Sequence, residues 1–172
     1  LWDKAVAVLH WNNSYVEPRN SHVVTLYGSA AYNAAYKKLG SHSLTTGGSN
    51  GYARITAKGT GLFSFGAGDF AIEAWVNPTL IAGDYRIIAV NQTINNCQLI
   101  IDPNGAIMLH GAGTLLLQTA NLTWDLTPGI FYHIVVTRVS GVIKIYRNNS
   151  VAAEAATSAS IGDDTSFDVG LR

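Results

Sequence analysis

The sequence predicts an all-β protein built as a sandwich or jelly roll, and three observations carry that expectation. Turn-forming clusters recur along the 172 residues, among them Gly47-Gly48-Ser49-Asn50-Gly51, Gly66-Ala67-Gly68-Asp69, Asp102-Pro103-Asn104-Gly105 and Asn148-Asn149-Ser150. Gly, Asn and Asp accept positive φ and Pro presets φ near −65°, so each cluster can reverse the chain. Between the clusters lie short runs rich in Val, Ile, Tyr, Phe and Thr, which suit a pleated surface. Several runs also alternate with period two. In Phe70–Val76, residues Phe70, Ile72, Ala74 and Val76 share one face, and Ala71, Glu73 and Trp75 share the other.

Read in order, the strands fall near Ala5–His10, Ser43–Thr46, Tyr52–Thr56, Phe70–Asn77, Arg86–Asn91 and Gln98–Asp102, then Ala106–His110, Leu115–Thr119, Ile130–Arg138 and Val142–Arg147. Asp102-Pro103-Asn104-Gly105, set between two apolar runs, is a hairpin signal. Ile130–Val136 is apolar on both faces, which fits a central strand covered on both sides. Ser29–Lys38 reads differently, as a short capped helix: Ser29 at the start, two lysines in the last turn and Gly40 to close it. Such a helix holds only if its Ala/Tyr face packs. No repeat, heptad or low-complexity linker divides residues 1–172, so one domain is expected. The start at Leu1 without Met reads as an excised or processed piece of a longer chain.

Composition removes several function classes. Eleven basic and eleven acidic side chains give a formal net charge of zero. A neutral chain lacks the basic surface that nonspecific nucleic-acid binding requires, so no nucleic-acid partner is expected. Hydrophobic residues at 48% argue against disorder, whereas charged residues at 13% are scarce beside the roughly 25% of ordinary domains. The single cysteine, Cys97, excludes an internal disulfide and reads as a buried small hydrophobe. No apolar run is long enough for a membrane helix and no signal peptide is visible, so membrane insertion is not expected.

Three segments resemble the laminin G-like branch of the concanavalin A-like lectin/glucanase superfamily. Ser43–Ile55, carrying Thr46-Gly47-Gly48-Ser49-Asn50-Gly51-Tyr52, is similar to that family's hairpin ending in a Tyr-bearing strand. Asp69-Phe70-Ala71-Ile72-Glu73-Ala74-Trp75-Val76-Asn77-Pro78 resembles its D-F-T-I-E-A-W-V-x-P strand. Tyr132–Arg138, then Gly141 and Ile145-Tyr146-Arg147-Asn148, resembles its W-H-H-I-A-V-T-R…G…L-Y-V-N-G hairpin. Trp2–His10 is also similar to the start of such modules in phage tail and other virion proteins. The resemblance implies a concanavalin A-like jelly-roll sandwich of two antiparallel sheets, one of them concave. It also implies a closing strand beyond Val169-Gly170. Without one, the first strand would keep an open edge for another chain or segment, so an oligomer is an option. Gly47 and Gly51 stand where the family often carries Asp, which removes two carboxylates that could serve a rim cation.

The chemistry of the residues narrows function further. A retaining glycosidase needs two carboxyls about 5–5.5 Å apart. The three glutamates, Glu17, Glu73 and Glu154, have no acidic partner at i+2, and Asp69 and Glu73 stand roughly 13 Å apart along a strand. No hydrolase is therefore expected. Glu73 reads as a structural residue bonding a polar side chain of a neighbouring strand, and His133 as a core-edge histidine. His10, His22, His42, His110 and His133 never fall at metal-ligand spacing, and no nucleophile elbow is present. No cofactor is expected apart from calcium, for which the loop acids Asp84, Asp163 and Asp164 are weak candidates beside Asn50. The N-x-S/T sequences at Asn12, Asn91, Asn121 and Asn148 follow from an Asn-, Thr- and Ser-rich composition.

Sugar recognition sets aromatic faces against apolar sugar faces and amides against hydroxyls. Trp75, Glu73, Tyr85, Trp124, Tyr52 and Asn50 supply those groups and are the candidate ligand-binding residues. The expected function is a noncatalytic carbohydrate-binding or adhesion module of a virion, such as a phage tail or capsid appendage, or of a cell-surface protein. Its partners would be glycans or other virion and surface proteins, at the virion or extracellular surface. A purely structural assembly domain docking to neighbouring virion proteins is the alternative. A glycoside hydrolase with an unrecognised acid pair comes third.

Overall fold

The computed structural model describes residues 9, 11, 22–48, 50–59, 63–78, 85–90, 97–120, 129–161 and 166–170. Among them there are thirteen strands, all paired antiparallel, and no helix. A seven-stranded sheet runs β1 (Val23–Tyr27), β4 (Tyr52–Thr56), β13 (Ser166–Val169), β6 (Tyr85–Val90), β7 (Cys97–Ile101), β8 (Ile107–Gly111) and β9 (Thr114–Gln118). A four-stranded sheet runs β12 (Ser150–Ala156), β11 (Val142–Arg147), β10 (Tyr132–Val139) and β5 (Phe70–Val76). A small ladder joins β2 (Ala31–Asn33) to β3 (Ser43–Thr45). The all-β sandwich expected from the alternation is the fold observed.

Period-two alternation builds the core between the two large sheets. The first contributes Ala53, Ile55, Val90, Cys97, Leu99, Ile107 and Leu109, and the second Ile72, Ile134, Val136, Ile143 and Ile145, all buried in one cluster with Phe63 and Phe167 or packed against it. Burying each large side chain of this set is worth roughly 1.5–3 kcal/mol before the entropy of ordering it is counted. The hairpins follow the turn chemistry. Asp102 accepts the backbone N–H groups of Asn104 and Ala106 at 2.9 and 2.7 Å, and so shapes the β7–β8 turn. Three further connections, Ala112-Gly113, Ser140-Gly141 and Asn148-Asn149, are two-residue turns with both residues at positive φ, the type that matches the twist of paired strands.

The structure departs from expectation in several places. Ser29–Lys38 forms no helix: Ala31–Asn33 pairs with Ser43–Thr45, Ser29 Oγ donates to the Thr46 carbonyl at 2.7 Å, and Asn33 Oδ1 accepts Ala35 N–H at 2.8 Å. Strand pairing and an Asn-centred turn satisfy backbone groups that one isolated helical turn would leave exposed. Strand β10 is interior to its sheet, but His133, Val135 and Thr137 on its outer side are only half-buried, so it is covered on one face rather than two. The strand with both faces buried is β7, where Gln98 and Ile100 are as enclosed as Cys97, Leu99 and Ile101. Strands β1, β2, β12 and β13 are absent from the sequence reading, while Ala5–His10 lies outside the described residues except for Leu9, which packs against the core.

Arg138 is a charged side chain facing inward from β10, with no exposed surface. Its guanidinium donates to the carbonyls of Gly68 and Ala159, each at 2.7 Å, and to that of Gly66, and it lies 5.1 Å from the centre of the Phe70 ring. Gly66 also bridges to Ile161, so one side chain ties the segment leading into β5 to the segment leaving β12. Replacing it by methionine keeps most of the volume but removes the guanidinium donors of three carbonyls, of which that of Gly66 keeps the Ile161 N–H. Arg138→Met is therefore expected to lower unfolding free energy by about 3–5 kcal/mol in a denaturant titration.

Cys97 is fully buried, and loss of solvation pushes its thiol from 9.0 up to about 12, partly opposed by the positive field of Arg138. The folded thiol holds its proton where the unfolded one releases it. Its contribution is thus fully present below about pH 9 and is lost as pH rises from there through about 12. The native protein should resist thiol-specific reagents at pH 8 and react completely once unfolded. The alkaline fall in stability should be smaller in Cys97→Ala than in the parent.

Candidate functional site

The outer face of the four-stranded sheet is set by the alternation that builds the core. With Phe70, Ile72, Ala74 and Val76 turned inward, Ala71, Glu73 and Trp75 point away from the core, and β5 lies at the end of its sheet. Register places Trp75 opposite His133, Glu73 opposite Val135 and Ala71 opposite Thr137. Beyond them, Val135 faces Tyr146 and Thr137 faces Lys144 on β11, and Lys144 faces Glu154 on β12. The face mixes aromatic, aliphatic and charged groups.

One cluster on this face is organised. The Trp75 indole and His133 imidazole stack with centroids 4.6 Å apart and planes 19° from parallel. His133 Nε2 lies 2.8 Å from Glu73 Oε1, and since a carboxylate only accepts, Nε2 carries the proton. Backbone bonds hold the histidine from behind: its N–H donates to Asn148 Oδ1 at 2.9 Å, and its carbonyl accepts Asn148 N–H at 2.8 Å. From the β2–β3 connection, Lys38 brings its ammonium to 4.6 Å from the indole centroid. The cluster remains open to water, with Trp75 38% exposed and the Glu73 side chain 65% exposed, while His133 is 17% exposed. The result is an aromatic platform carrying one accessible negative charge and one long, exposed positive side chain. At the far side of the face Lys144 and Glu154 pair at 2.7 Å, and this hydrogen bond raises the lysine's pKa above its usual value.

Other candidate residues go elsewhere. Tyr52 lies on the outer side of the seven-stranded sheet, stacked on Tyr27 with centroids 4.8 Å apart and planes 9° from parallel. The Arg54 guanidinium sits 5.5 Å from both rings. It also holds the buried Asp168 through two bonds, at 2.8 and 2.9 Å, and this hydrogen bonding raises the arginine's pKa despite the cost of burial. Asn50 precedes β4, with its backbone so close to Gly28 that a Cβ added there would meet the Asn50 carbonyl oxygen at 2.1 Å. Tyr52 thus packs a ring against a ring and Asn50 lies against Gly28, and neither joins Trp75. Tyr85 begins β6 in the seven-stranded sheet, a different sheet from Trp75. Trp124 and the calcium candidates Asp84, Asp163 and Asp164 lie outside the described residues.

Glu73 therefore bonds a polar side chain of a neighbouring strand, as read from the sequence, and it does so beside Trp75. The sequence reading missed His133 and Lys38 as members of the site. His133 sat within an apolar run with no local sign of its partner, and Lys38 was absorbed into the proposed helix. Every carboxylate among the described residues has a structural partner: Asp69 accepts Ser140 N–H, Asp102 shapes its turn, Asp168 binds Arg54, Glu73 binds His133 and Glu154 binds Lys144. Glu73 and Glu154, which share the open face, stand on the first and last of four strands, roughly 14 Å apart at the usual spacing. That exceeds the separation either glycosidase mechanism uses. Among the described residues, no group of three His, Cys, Asp or Glu side chains is placed to hold a metal ion.

Comparison with known proteins agrees with this architecture. The receptor-binding domain of botulinum neurotoxin C/D mosaic serotype superposes with a TM-score of 0.74 at 12% identity, covering 99% of this chain and 44% of that one. A botulinum neurotoxin DC binding domain in complex with SialylT gives 0.71 at 14% identity, over 98% and 44%. The botulinum neurotoxin type C structure described by cell entry dependent on two ganglioside molecules gives 0.63 at 14%, over 93% and 40%. The chain thus spans less than half the length of these structures, and at such identities the likeness is one of fold. No curated protein matches. A family model described as the concanavalin A-like lectin/glucanases superfamily matches residues 46–171, and the laminin G type of that model is the one the three sequence segments resemble. With well over half its length matched and two antiparallel sheets packed on one core, the chain belongs to the concanavalin A-like lectin/glucanases superfamily.

Proposed function

We propose that this chain is a noncatalytic carbohydrate-binding module, displayed on a virion appendage such as a phage tail or on a cell surface, and that it grips glycan on the open face of the four-stranded sheet. The observation that carries the reading is the solvent-open Trp75–His133 stack with Glu73 beside it. An indole face matches the apolar face of a pyranose, and the flanking carboxylate accepts hydroxyl hydrogen bonds. A sugar that stacks there takes the position of the Lys38 ammonium, whose contact at an exposed site is worth only about 0.5–1 kcal/mol. Fold neighbours whose descriptions name SialylT and gangliosides support the reading by analogy of scaffold. Scarce charge and a small site favour weak contacts multiplied by many copies, where avidity adds about 10²–10⁴.

Docking to neighbouring surface proteins is a second reading. It draws on the exposed Val139 and Val151 at the ends of β10 and β12, and on a fold neighbour described in complex with rat synaptotagmin II. Glycan-array and saturation-transfer measurements on an oligomeric form separate the two. The glycan reading expects reproducible hits that weaken about tenfold or more in Trp75→Ala and are unchanged in Tyr52→Ala. Silence across bacterial polysaccharides and animal glycans, with Trp75→Ala instead abolishing assembly with a neighbouring surface protein, would transfer the site to the second reading.

A further inference from the structure

We infer that the sugar this face selects carries a protonated amine, so that the preferred glycan contains a de-N-acetylated amino sugar rather than a neutral or acidic one. The inference rests on the carbohydrate-binding reading and specifies its substrate class. Its template is within the chain: the indole already holds an ammonium, that of Lys38, 4.6 Å from its centroid. Indole faces attract cations through the ring quadrupole. A ligand that displaces Lys38 removes that cation and leaves, among the described residues, the Glu73 carboxylate as the charge held beside the platform.

Glu73 stands two residues before Trp75 on the same side of β5, about 7 Å along the strand, and its side chain is largely exposed. One oxygen is held by His133, which keeps the carboxylate beside the platform. A sugar stacked on the indole therefore projects substituents within reach of a fixed negative charge. A protonated amine restores the lost cation and pairs with Glu73. An acetamido group does neither, and a sugar carboxylate meets repulsion. The Lys144–Glu154 pair is engaged with itself on the far strands and leaves this balance unaltered. Lys38 acts as a tethered competitor, since any ligand must first lift it from the ring.

The test measures binding of glucosamine oligomers, N-acetylglucosamine oligomers of equal length, and sialyllactose at a mildly acidic pH that keeps the glucosamine amines protonated, with a trimethylammonium glucosamine oligomer as a permanently charged control. The glucosamine and trimethylammonium oligomers should bind at least about fivefold more tightly than the N-acetylated ones, and sialyllactose most weakly. Glu73→Gln, which keeps a hydrogen-bond acceptor for His133, should erase the preference, so that charged and N-acetylated oligomers bind alike, while the thermal midpoint holds. Lys38→Met should tighten neutral oligomers about two- to fivefold, the equivalent of one lost surface cation–π contact. Equal or tighter binding of the N-acetylated or sialylated sugars, or a preference that survives Glu73→Gln, would overturn the inference while leaving a glycan-binding face in place. Absence of binding to every saccharide would overturn the carbohydrate reading itself.

Discussion

The buried guanidinium of Arg138 is the constraint on which the geometry of the smaller sheet depends. A cation sealed from water survives only if dipoles replace its hydration, and three carbonyls from two separate loops do so here. Those loops lead into β5 and out of β12, the outermost strands of the four-stranded sheet. Arg138 also pairs in register with Phe70, the first residue of β5, and lies over its ring. Fixing where β5 begins fixes which of its side chains face out. A one-residue slip would turn Glu73 and Trp75 into the core and expose Ile72. The proposed recognition face is therefore a consequence of the clamp.

The two large sheets divide the remaining work. Around β7 the seven-stranded sheet is buried on both sides, with Ala89, Gln98, Ile100 and Asp168 enclosed alongside the core residues they alternate with. Its outward-facing aromatics, Tyr27 and the half-buried Tyr52, stack on each other beneath an arginine already committed to Asp168. The four-stranded sheet keeps its outer face partly open, and there the aromatic stack retains an accessible edge and an accessible charge. The proposed recognition site lies on the surface where side chains still have open hydrogen-bonding and stacking capacity.

Much of this was legible in the sequence, because alternation and turn chemistry are local signals. Tyr52–Thr56 and Val142–Arg147 were read with the bounds the structure has, and Asp102–Gly105 as the turn it is. Strand β12 was hidden by composition, since Ser-Val-Ala-Ala-Glu-Ala-Ala favours a helix until β11 pairs with it and Lys144 meets Glu154. Strand β13 was hidden because its buried Asp168 is acceptable only with Arg54, 114 residues away. The site was half legible for the same reason. Alternation put Glu73 and Trp75 together, whereas His133 joins them through a pairing across about sixty residues that no local pattern encodes. Grouping Tyr52 and Asn50 with Trp75 failed because residue type says nothing about which sheet a strand enters.

Under the proposed function, this chain meets its ligand on the outer face of the four-stranded sheet and not on that of the seven-stranded sheet. Amide and side-chain chemical-shift mapping by NMR during titration with a bound saccharide tests it most directly. Perturbations should concentrate at Lys38, Glu73, Trp75, His133 and Asn148. Perturbations centred instead on Tyr27, Tyr52 and Arg54, with the indole of Trp75 unmoved, would contradict it.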